Sequence, residues 1–270
     1  MLSGFGPRLP GRGRFSGIQE TMGLWRAGKT DLLDGVHQLA DKDIDLWVEA
    51  LDAADGLYHR YWALLDEEER TKALRFVHKQ HRVRYVISHG KVRAILARYI
   101  GRPPEAIRFA REAAGKPYLA VDGRPHEVKF NLSHSGDKMI LAVGRDVPVG
   151  VDIEVWNDHV DFMAIAEACF AEAERAFWLD LPAHDKAGAF YRFWTRKESF
   201  VKSVGAGISL DVSRVVTSVD DAPRFISLPA CCGEAGQWRL VDLDLGPGIS
   251  GALTVRAGGM ERLCFKNLLP

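Results

Sequence analysis

The segment VGVDIE at residues 149–154 constrains the fold more than any other part of the sequence. Apolar and acidic residues alternate along it, which predicts a β-strand with Val151 and Ile153 on one face. Asp152 and Glu154 then share the opposite face. Two neighbouring carboxylates repel each other, and a divalent cation would offset that repulsion, because magnesium favours carboxylates together with phosphate oxygens and water. The alternative is an edge strand whose acidic face lies in water.

A second segment, WTRKESFVK at residues 194–202, has helical spacing. Trp194, Glu198 and Lys202 are separated by four residues each and therefore fall on one helix face. Taken alone, this face is typical of an exposed Glu–Lys ion pair, which contributes only about a few tenths of a kcal/mol. From spacing alone, that interpretation is the better one.

A third segment, NLSHSGD at residues 131–137, places Ser133 and His134 at the end of a predicted strand, just before a turn. A hydroxyl, an imidazole and the free N–H groups of a turn suit phosphate oxygens. A histidine at a strand end also serves as a structural hydrogen-bonding group. A Ser–His nucleophile site is not favoured, because adjacent residues rarely meet as nucleophile and base and no nucleophile elbow is present.

Composition limits the class of protein. The chain has 270 residues, 47% of them hydrophobic, which suits one large domain or two smaller ones. The formal net charge of zero argues against a protein that coats nucleic acid, but allows a local anion pocket. The four cysteines lack zinc-ligand spacing, so we expect reduced thiols and a cytoplasmic location. Since no apolar run reaches about 18 residues, we expect no membrane span.

The hydrophobic pattern predicts an α+β protein in which sets of strands and helices occur twice. Residues 1–40 are expected to form a disordered leader, since the Gly-, Arg- and Pro-rich start has no periodicity. Strands are predicted at residues 44–48, 107–109, 117–119, 130–133, 139–143, 149–155, 212–219, 238–243 and 252–257. Helices are predicted at residues 65–77, 81–100, 162–179 and 187–204.

From about residue 44 to residue 220 the chain resembles the 4′-phosphopantetheinyl transferases, in their larger, pseudo-dimeric, surfactin-synthetase-activating type. Four motifs carry the resemblance in this order: GKPY at 115–118, NLSHSGD at 131–137, VGVDIE at 149–154 and FWTRKESFVK at 193–202. The last two match the family signatures (V/I)G(V/I)D and (F/W)xxKE(S/A)xxK. The resemblance implies two similar α/β subdomains packed as a pseudo-dimer, each with a small, mostly antiparallel sheet against helices. We expect the first half to cover residues 41–146 and the second residues 147–270.

The resemblance also implies an activity. Such enzymes move the 4′-phosphopantetheine group of coenzyme A to a serine of an apo acyl, peptidyl or aryl carrier protein and release adenosine 3′,5′-bisphosphate. By resemblance, Asp152, Glu154 and Glu198 hold Mg²⁺, with Mn²⁺ as an alternative ion. Lys202 would neutralise or protonate the leaving group, and either Glu198 or Glu174 would accept the proton of the serine. Two halves in one chain predict a monomer.

Contacts with coenzyme A also follow from the resemblance alone. It places five residues around the adenosine phosphates: Lys72, Arg111, Lys116, Ser133 and His134. Arg75 is a further candidate. Glu69 is a departure, because some relatives carry a basic residue there, and this weakens the alignment around Lys72.

The carrier protein is expected to meet residues 162–179, where Phe170, Phe177 and Trp178 are the candidate contacts. The alternative is that these aromatic side chains belong to the core. Two rival functions are open to this set of residues: a magnesium-dependent phosphodiesterase, and a non-catalytic protein that binds coenzyme A or a carrier. The acids and Lys202 are all present, which favours an active enzyme over the second rival.

Overall fold

A computed structural model describes residues 37–52 and 56–268, all of which fall within the unit Leu32–Leu268. The strands are β1 (Asp43–Ala50), β2 (Phe109–Arg111), β3 (Pro117–Val121), β4 (Arg124–Pro125), β5 (Val128–Ser135), β6 (Lys138–Arg145), β7 (Val149–Val155), β8 (Val216–Thr217), β9 (Phe225–Ser227), β10 (Trp238–Leu243), β11 (Ile249–Arg256) and β12 (Arg262–Lys266). The α-helices are α1 (Leu57–Leu64), α2 (Glu67–Leu74), α3 (Lys79–Ile100), α4 (Phe162–Cys169), α5 (Glu172–Asp180) and α6 (Ala183–Val204). Most of the predicted leader, residues 1–36, lies outside the described residues.

Two sheets organise the described residues. The first has the strand order β12-β1-β6-β5, antiparallel except for the parallel pair β1–β12, and the second has the antiparallel order β10-β11-β7. A long helix packs on each sheet, α3 on the first and α6 on the second. The α+β fold with two subdomains is therefore confirmed. None of the helices in the described part of the chain is long and apolar enough to cross a bilayer.

The two sheets also pack face to face, and this interface fixes the orientation of β7. Val149, Val151 and Ile153 enter a core shared with Ile44 and other apolar residues of the first sheet. Because side chains alternate along a strand, Asp152 and Glu154 must face the other way, toward α6. The alternation predicted from the sequence thus places the carboxylates between the second sheet and its helix.

Local signals determine where several helices begin and end. Asp66 and Glu69 form a reciprocal capping box at the start of α2, as the acid cluster there leads one to expect. The two 22-residue helices, α3 and α6, end at Gly101 and Gly205, both in the left-handed conformation that favours glycine.

Some predicted elements differ from the observed ones. The helix predicted at 162–179 is two helices, because Phe170 is extended and the side chain of Glu174 caps the first turn of α5 at Ala171. The strand predicted at 212–219 begins as a 3-10 turn and keeps only the short strand β8. Four of the strands and α-helices named above had no prediction: α1, β4, β9 and β12. Strand β12, close to the end of the chain, forms the outer strand of the first sheet.

Candidate active site

Asp152 lies at the centre of a buried polar cluster. Its Oδ1 atom accepts hydrogen bonds from Ser133 Oγ at 2.8 Å and from Lys202 Nζ at 2.5 Å, and Lys202 also donates to Ser133 Oγ at 2.8 Å. Burial raises the pKa of Asp152, and this is opposed by the charge of Lys202 and by the two hydrogen bonds. The second oxygen, Oδ2, is buried and has no hydrogen-bond partner among the described residues. An acceptor in this state is suited to a cation.

The cluster lies on a seam between the edges of two sheets. Strand β5 ends the first sheet and β7 ends the second, and side chains of β5 join them. Asn131 Oδ1 accepts the N–H of Val151 at 2.8 Å, and Ser135 Oγ accepts the N–H of Val155 at 3.1 Å. Ser135 Oγ also donates to Glu154 Oε2 at 2.6 Å. These hydrogen bonds fix the acidic strand against the NLSHSGD strand, so both predicted motifs meet at one place.

Close packing of α6 on β7 brings the helix to the seam. A Cβ atom added to Gly150 would lie 2.0 Å from the carbonyl oxygen of Ser199 and 2.3 Å from the backbone nitrogen of Ser203. Only glycine permits that approach. It lets Lys202, on the same helix, reach Asp152.

Lys116 supports the same helix end. Its Nζ donates to the carbonyl oxygens of Val149 at 3.1 Å, Lys202 at 2.6 Å and Ser203 at 3.3 Å. Burial lowers the pKa of Lys116 to about 8. The structure therefore uses this predicted phosphate contact to cap α6 and to join it to β7.

Glu198 is half-buried beside the strand acids. Burial raises its pKa, and the charges of Asp152 and Glu154 raise it further. The pKa of Glu154 is also raised, first by burial. The three predicted metal ligands thus repel one another electrostatically, which fits a site for a cation. Within the described ranges, no group of three or more His, Cys, Asp or Glu side chains is arranged as a metal cluster. The unpartnered Asp152 oxygen and the mutual repulsion are what favour a metal here.

Glu174 lies elsewhere. Its Oε1 accepts the N–H of Thr217 at 2.7 Å and its hydroxyl at 2.8 Å, while Oε2 accepts the N–H of Ala171 at 2.8 Å. Lys197 Nζ is 2.8 Å from Oε2, and neither side chain is exposed to solvent. Both carboxylate oxygens are occupied in a closed position. The structure gives Glu174 a role in joining α5, α6 and β8, at a position that a substrate hydroxyl does not reach.

His134 faces a cavity of about 280 Å³ next to the cluster. Its ring is exposed, and its pKa is lowered by partial desolvation and then by the charge of Lys202. The side chains of Arg84, Tyr85 and His89, all on α3, also line this cavity. Lys72 Nζ lies 5.4 Å from the centre of the Tyr85 ring, at the edge of the same region. The three α3 residues were missed by sequence reasoning, although Arg84, Tyr85 and His89 recur at the spacing of one helix face.

Two other predicted basic contacts are on the surface. Arg111 is exposed; it donates to the carbonyl oxygen of Gly115 at 3.3 Å and lies 3.8 Å from Glu68. Arg75 is exposed at the end of α2.

The departure at Glu69 has a structural explanation. Glu69 is buried, caps α2, and contacts His89 Nδ1 at 2.8 Å and Arg93 Nε at 2.6 Å. It therefore organises the residues behind the 280 Å³ cavity and adds no acid to its lining.

A larger cavity, of about 500 Å³, opens beside Lys202. Glu198, Lys202 and Lys116 line it together with the apolar side chains of Trp194, Val201 and other residues. The site residues therefore adjoin two cavities: His134 lines the small basic one, and Glu198 and Lys202 line the larger, mostly apolar one.

The aromatic residues predicted to meet a carrier protein belong largely to the core. Phe170 and Trp178 are buried and Phe177 is half-buried. Trp178 donates its indole N–H to the carbonyl oxygen of Lys186. The exposed apolar residues of this region are instead Trp156, Met163 and Leu179.

Comparison with known proteins assigns the family. A family model described as "4'-phosphopantetheinyl transferase superfamily" matches residues 148–253, and one described as "4'-phosphopantetheinyl transferase, N-terminal" matches residues 53–145. The 4'-phosphopantetheinyl transferase HetI of Nostoc sp. is 30% identical over 206 residues, which are 76% of this chain and 84% of the relative.

The chain belongs to the 4′-phosphopantetheinyl transferase superfamily. The 4'-phosphopantetheinyl transferase Sfp of Bacillus subtilis is 32% identical over 171 residues, 63% of this chain and 74% of the relative. An L-aminoadipate-semialdehyde dehydrogenase-phosphopantetheinyl transferase of Mus musculus is 30% identical over 165 residues, 56% of this chain and 52% of that protein. The predicted family, its larger type and the enzyme class are thereby confirmed.

Proposed function

We propose that this transferase moves the 4′-phosphopantetheine group of coenzyme A to a serine of an apo acyl, peptidyl or aryl carrier protein and releases adenosine 3′,5′-bisphosphate. The observation that carries the proposal is the Asp152–Ser133–Lys202 cluster, which adjoins both cavities: Lys202 lines the larger one, and His134, next to Ser133 in the chain, lines the smaller one. A scissile pyrophosphate placed at this cluster would have a cavity within reach of each of its two substrate portions. Anionic groups at such a site need cationic partners, and Lys202 is one.

The nucleotide end of coenzyme A is assigned to the 280 Å³ cavity. His134 and Arg84 offer donors to phosphate oxygens, and Lys72 lies close by. The pantetheine arm is assigned to the larger cavity, whose apolar walls suit an uncharged chain. Arg111 remains a candidate at the surface, while Ser133 and Lys116 contribute chiefly by holding Asp152 and α6 in place.

Asp152, Glu154 and Glu198 would hold Mg²⁺ or Mn²⁺. A hard divalent cation bound there supplies positive charge that neutralises the pyrophosphate oxygens. The protein's own groups do the rest. The serine oxygen of the carrier attacks the phosphorus that bears pantetheine, the bond from that phosphorus to the bisphosphate breaks, and the serine proton passes to Glu198. Lys202 stabilises the charge that develops on the departing phosphate. Glu198 is preferred over Glu174 as the base because Glu174 is enclosed and already paired.

The carrier protein is assigned to the surface after β7. Trp156 and Met163 are exposed there, close in sequence to Glu154. Carrier contact at this surface would bring the serine toward the site acids. A single chain supplies both halves of the seam, so the monomer stays our prediction.

The test is intact-mass analysis of an apo carrier protein incubated with the enzyme, coenzyme A and MgCl₂. We expect the carrier to gain one phosphopantetheine group and adenosine bisphosphate to appear in equal amount. A carrier with alanine at the acceptor serine should gain nothing. Bisphosphate released without any carrier would instead indicate a hydrolase.

Lys202→Ala should lower the transfer rate by about 10²–10³-fold, the usual effect of removing one group that stabilises transition-state charge. Lys42→Met is the matched control, since the Lys42 side chain forms an exposed ion pair with Glu261. Full transfer activity in Lys202→Ala would exclude the role given to Lys202.

A further inference from the structure

Two adjacent cysteines lie outside the proposed active site. Cys231 is exposed and Cys232 is buried, at the end of the 3-10 turn Ala230–Cys232 between β9 and β10. Their sulfur atoms are 3.7 Å apart. Both thiols therefore lie on the same side of the turn, and one is open to solvent.

The turn holds the pair in this arrangement. The N–H of Cys232 donates to the carbonyl oxygen of Pro229 at 2.8 Å, and its carbonyl oxygen accepts the indole N–H of Trp238 at 3.1 Å. Gly233 follows with a φ of 79°, in the region that favours glycine. A Cβ there would lie 2.3 Å from Gln237 Oε1. Since the backbone is already fixed, a ligand that binds both sulfurs pays little ordering entropy.

The separation of the sulfurs matches a shared soft ligand. Two sulfurs bound to one centre at about 2.3 Å each are about 3.3–3.8 Å apart, the shorter value at the near-right angles of a pyramidal centre and the longer at a tetrahedral one. Thiolates select soft partners. A closed zinc site would need two more ligands, and within the described ranges no group of three or more His, Cys, Asp or Glu side chains is arranged to hold a metal. The pair thus fits a species that takes two sulfurs and brings its own third substituent.

We propose that Cys231 and Cys232 form a two-thiol binding site for trivalent organoarsenicals and chemically similar thiophiles. The step is balanced without an oxidant. The arsenic–oxygen group of an arsine oxide takes one proton from each thiol, two arsenic–sulfur bonds form, and one water leaves. Burial, together with the hydrogen bond to Cys231, raises the pKa of Cys232 to about 11, so the exposed thiol of Cys231 reacts first and Cys232 closes the ring.

The site is connected to the catalytic helix. The Trp238 ring packs edge-on against Phe200, with ring centres 5.0 Å apart, and Phe200 lies on α6 between Glu198 and Lys202. A pyramidal centre draws the two sulfurs closer than their 3.7 Å separation. Because Trp238 is hydrogen-bonded to the Cys232 carbonyl oxygen, this movement should disturb the packing of Trp238 on Phe200. We therefore expect occupancy to slow transfer, an effect that rests on the proposed function, whereas the binding itself does not.

The test treats the full chain with one equivalent of phenylarsine oxide and measures intact mass. We expect one adduct, equal to a phenylarsenic group less two hydrogens, with two thiols lost to titration. Excess glutathione should leave it in place and 2,3-dimercaptopropanol should remove it. Cys231→Ser, at an exposed position, should weaken binding by about 10²–10⁴-fold, since the second thiol acts at high effective concentration.

Cys264→Ser and Cys169→Ser are the matched controls and should keep the adduct. An adduct that persists in Cys231→Ser, or that glutathione removes from the unsubstituted chain, would overturn the proposal. Failure of the untreated enzyme to modify a carrier, in a chain that still forms the adduct, would count against the proposed function only.

Discussion

The buried ion pair between Glu174 and Lys197 allows a catalytic role to be separated from a structural one. The two charged groups are 2.8 Å apart and neither is exposed. Glu174→Gln would leave Lys197 charged and without its counter-ion in a closed site. Removing one partner of such a pair costs about 3–5 kcal/mol, a large part of the roughly 5–15 kcal/mol that stabilises a typical domain.

That loss should be plain in thermal unfolding. For a chain of this size each kcal/mol lowers Tm by about 2–4 °C, so Glu174→Gln should lower Tm by about 6–20 °C. Glu172→Gln, on the exposed side of the same helix, is the matched control and should change stability by less than about 0.5 kcal/mol. Unfolding is followed by circular dichroism. Transfer is measured by carrier mass well below the lower Tm and expressed per folded molecule.

The two roles predict opposite pairs of results. If Glu174 is structural, the variant unfolds early but transfers at nearly the normal rate while it is folded. Loss of a general base would instead leave Tm unchanged and reduce the transfer rate by about 10²-fold or more. That result would refute the structural role and identify Glu174 as the base.

Three further predictions concern the seam. Gly150→Ala should destabilise the fold by about 1–3 kcal/mol or more, because the added Cβ overpacks against α6. Gly236→Ala, with nothing within 4 Å of the added Cβ, is the control and should leave the free energy of unfolding unchanged. Chemical denaturation measures both variants. Asn131→Leu should cost about 1–3 kcal/mol in the same assay, because it leaves the buried N–H of Val151 without an acceptor. Burial raises the pKa values of the three site carboxylates, so the folded state binds protons more tightly than the unfolded state, and the free energy of unfolding should fall as pH rises through those values. MgCl₂ at about a hundred times its Kd should then raise the free energy of unfolding by about 2.7 kcal/mol near pH 7.5. The increase should be smaller near pH 5, and small for Asp152→Asn at either pH; Tm measures it.

Much of the site could be predicted because its geometry is local. Alternation along β7 is enough to place Asp152 and Glu154 on one face, and helical spacing puts Glu198 and Lys202 on one side of α6. The role of a side chain could not be predicted in this way where it depends on contacts with residues far away in the sequence. Nothing near Lys116 in sequence indicates that its ammonium group caps the end of α6.

The same distinction explains the elements that were missed. Strand β12 is short and partly charged, so its sequence has no strong strand pattern, and its pairing is decided by β1. Arg262 pairs with Asp43 and Leu268 donates its N–H to Glu49, contacts that span 219 residues each. The break after α4 likewise depends on Glu174, whose carboxylate is held by Thr217 and Lys197 from other elements.

The position of the seam explains why the acidic cluster is built from two sheet edges. If β5 and β7 were paired in one ladder, backbone hydrogen bonds would fill the space that Ser133 and Asp152 now occupy. Because the strands belong to different sheets, polar side chains take over the joining role, and Ser133 can contact an acid and a lysine at once. The contact is also adjustable, since side chains rotate more easily than ladders shift. Under the proposed function, a pyrophosphate bound beside Lys202 and Asp152 would need that freedom, and an edge-to-edge seam supplies it without loosening either sheet.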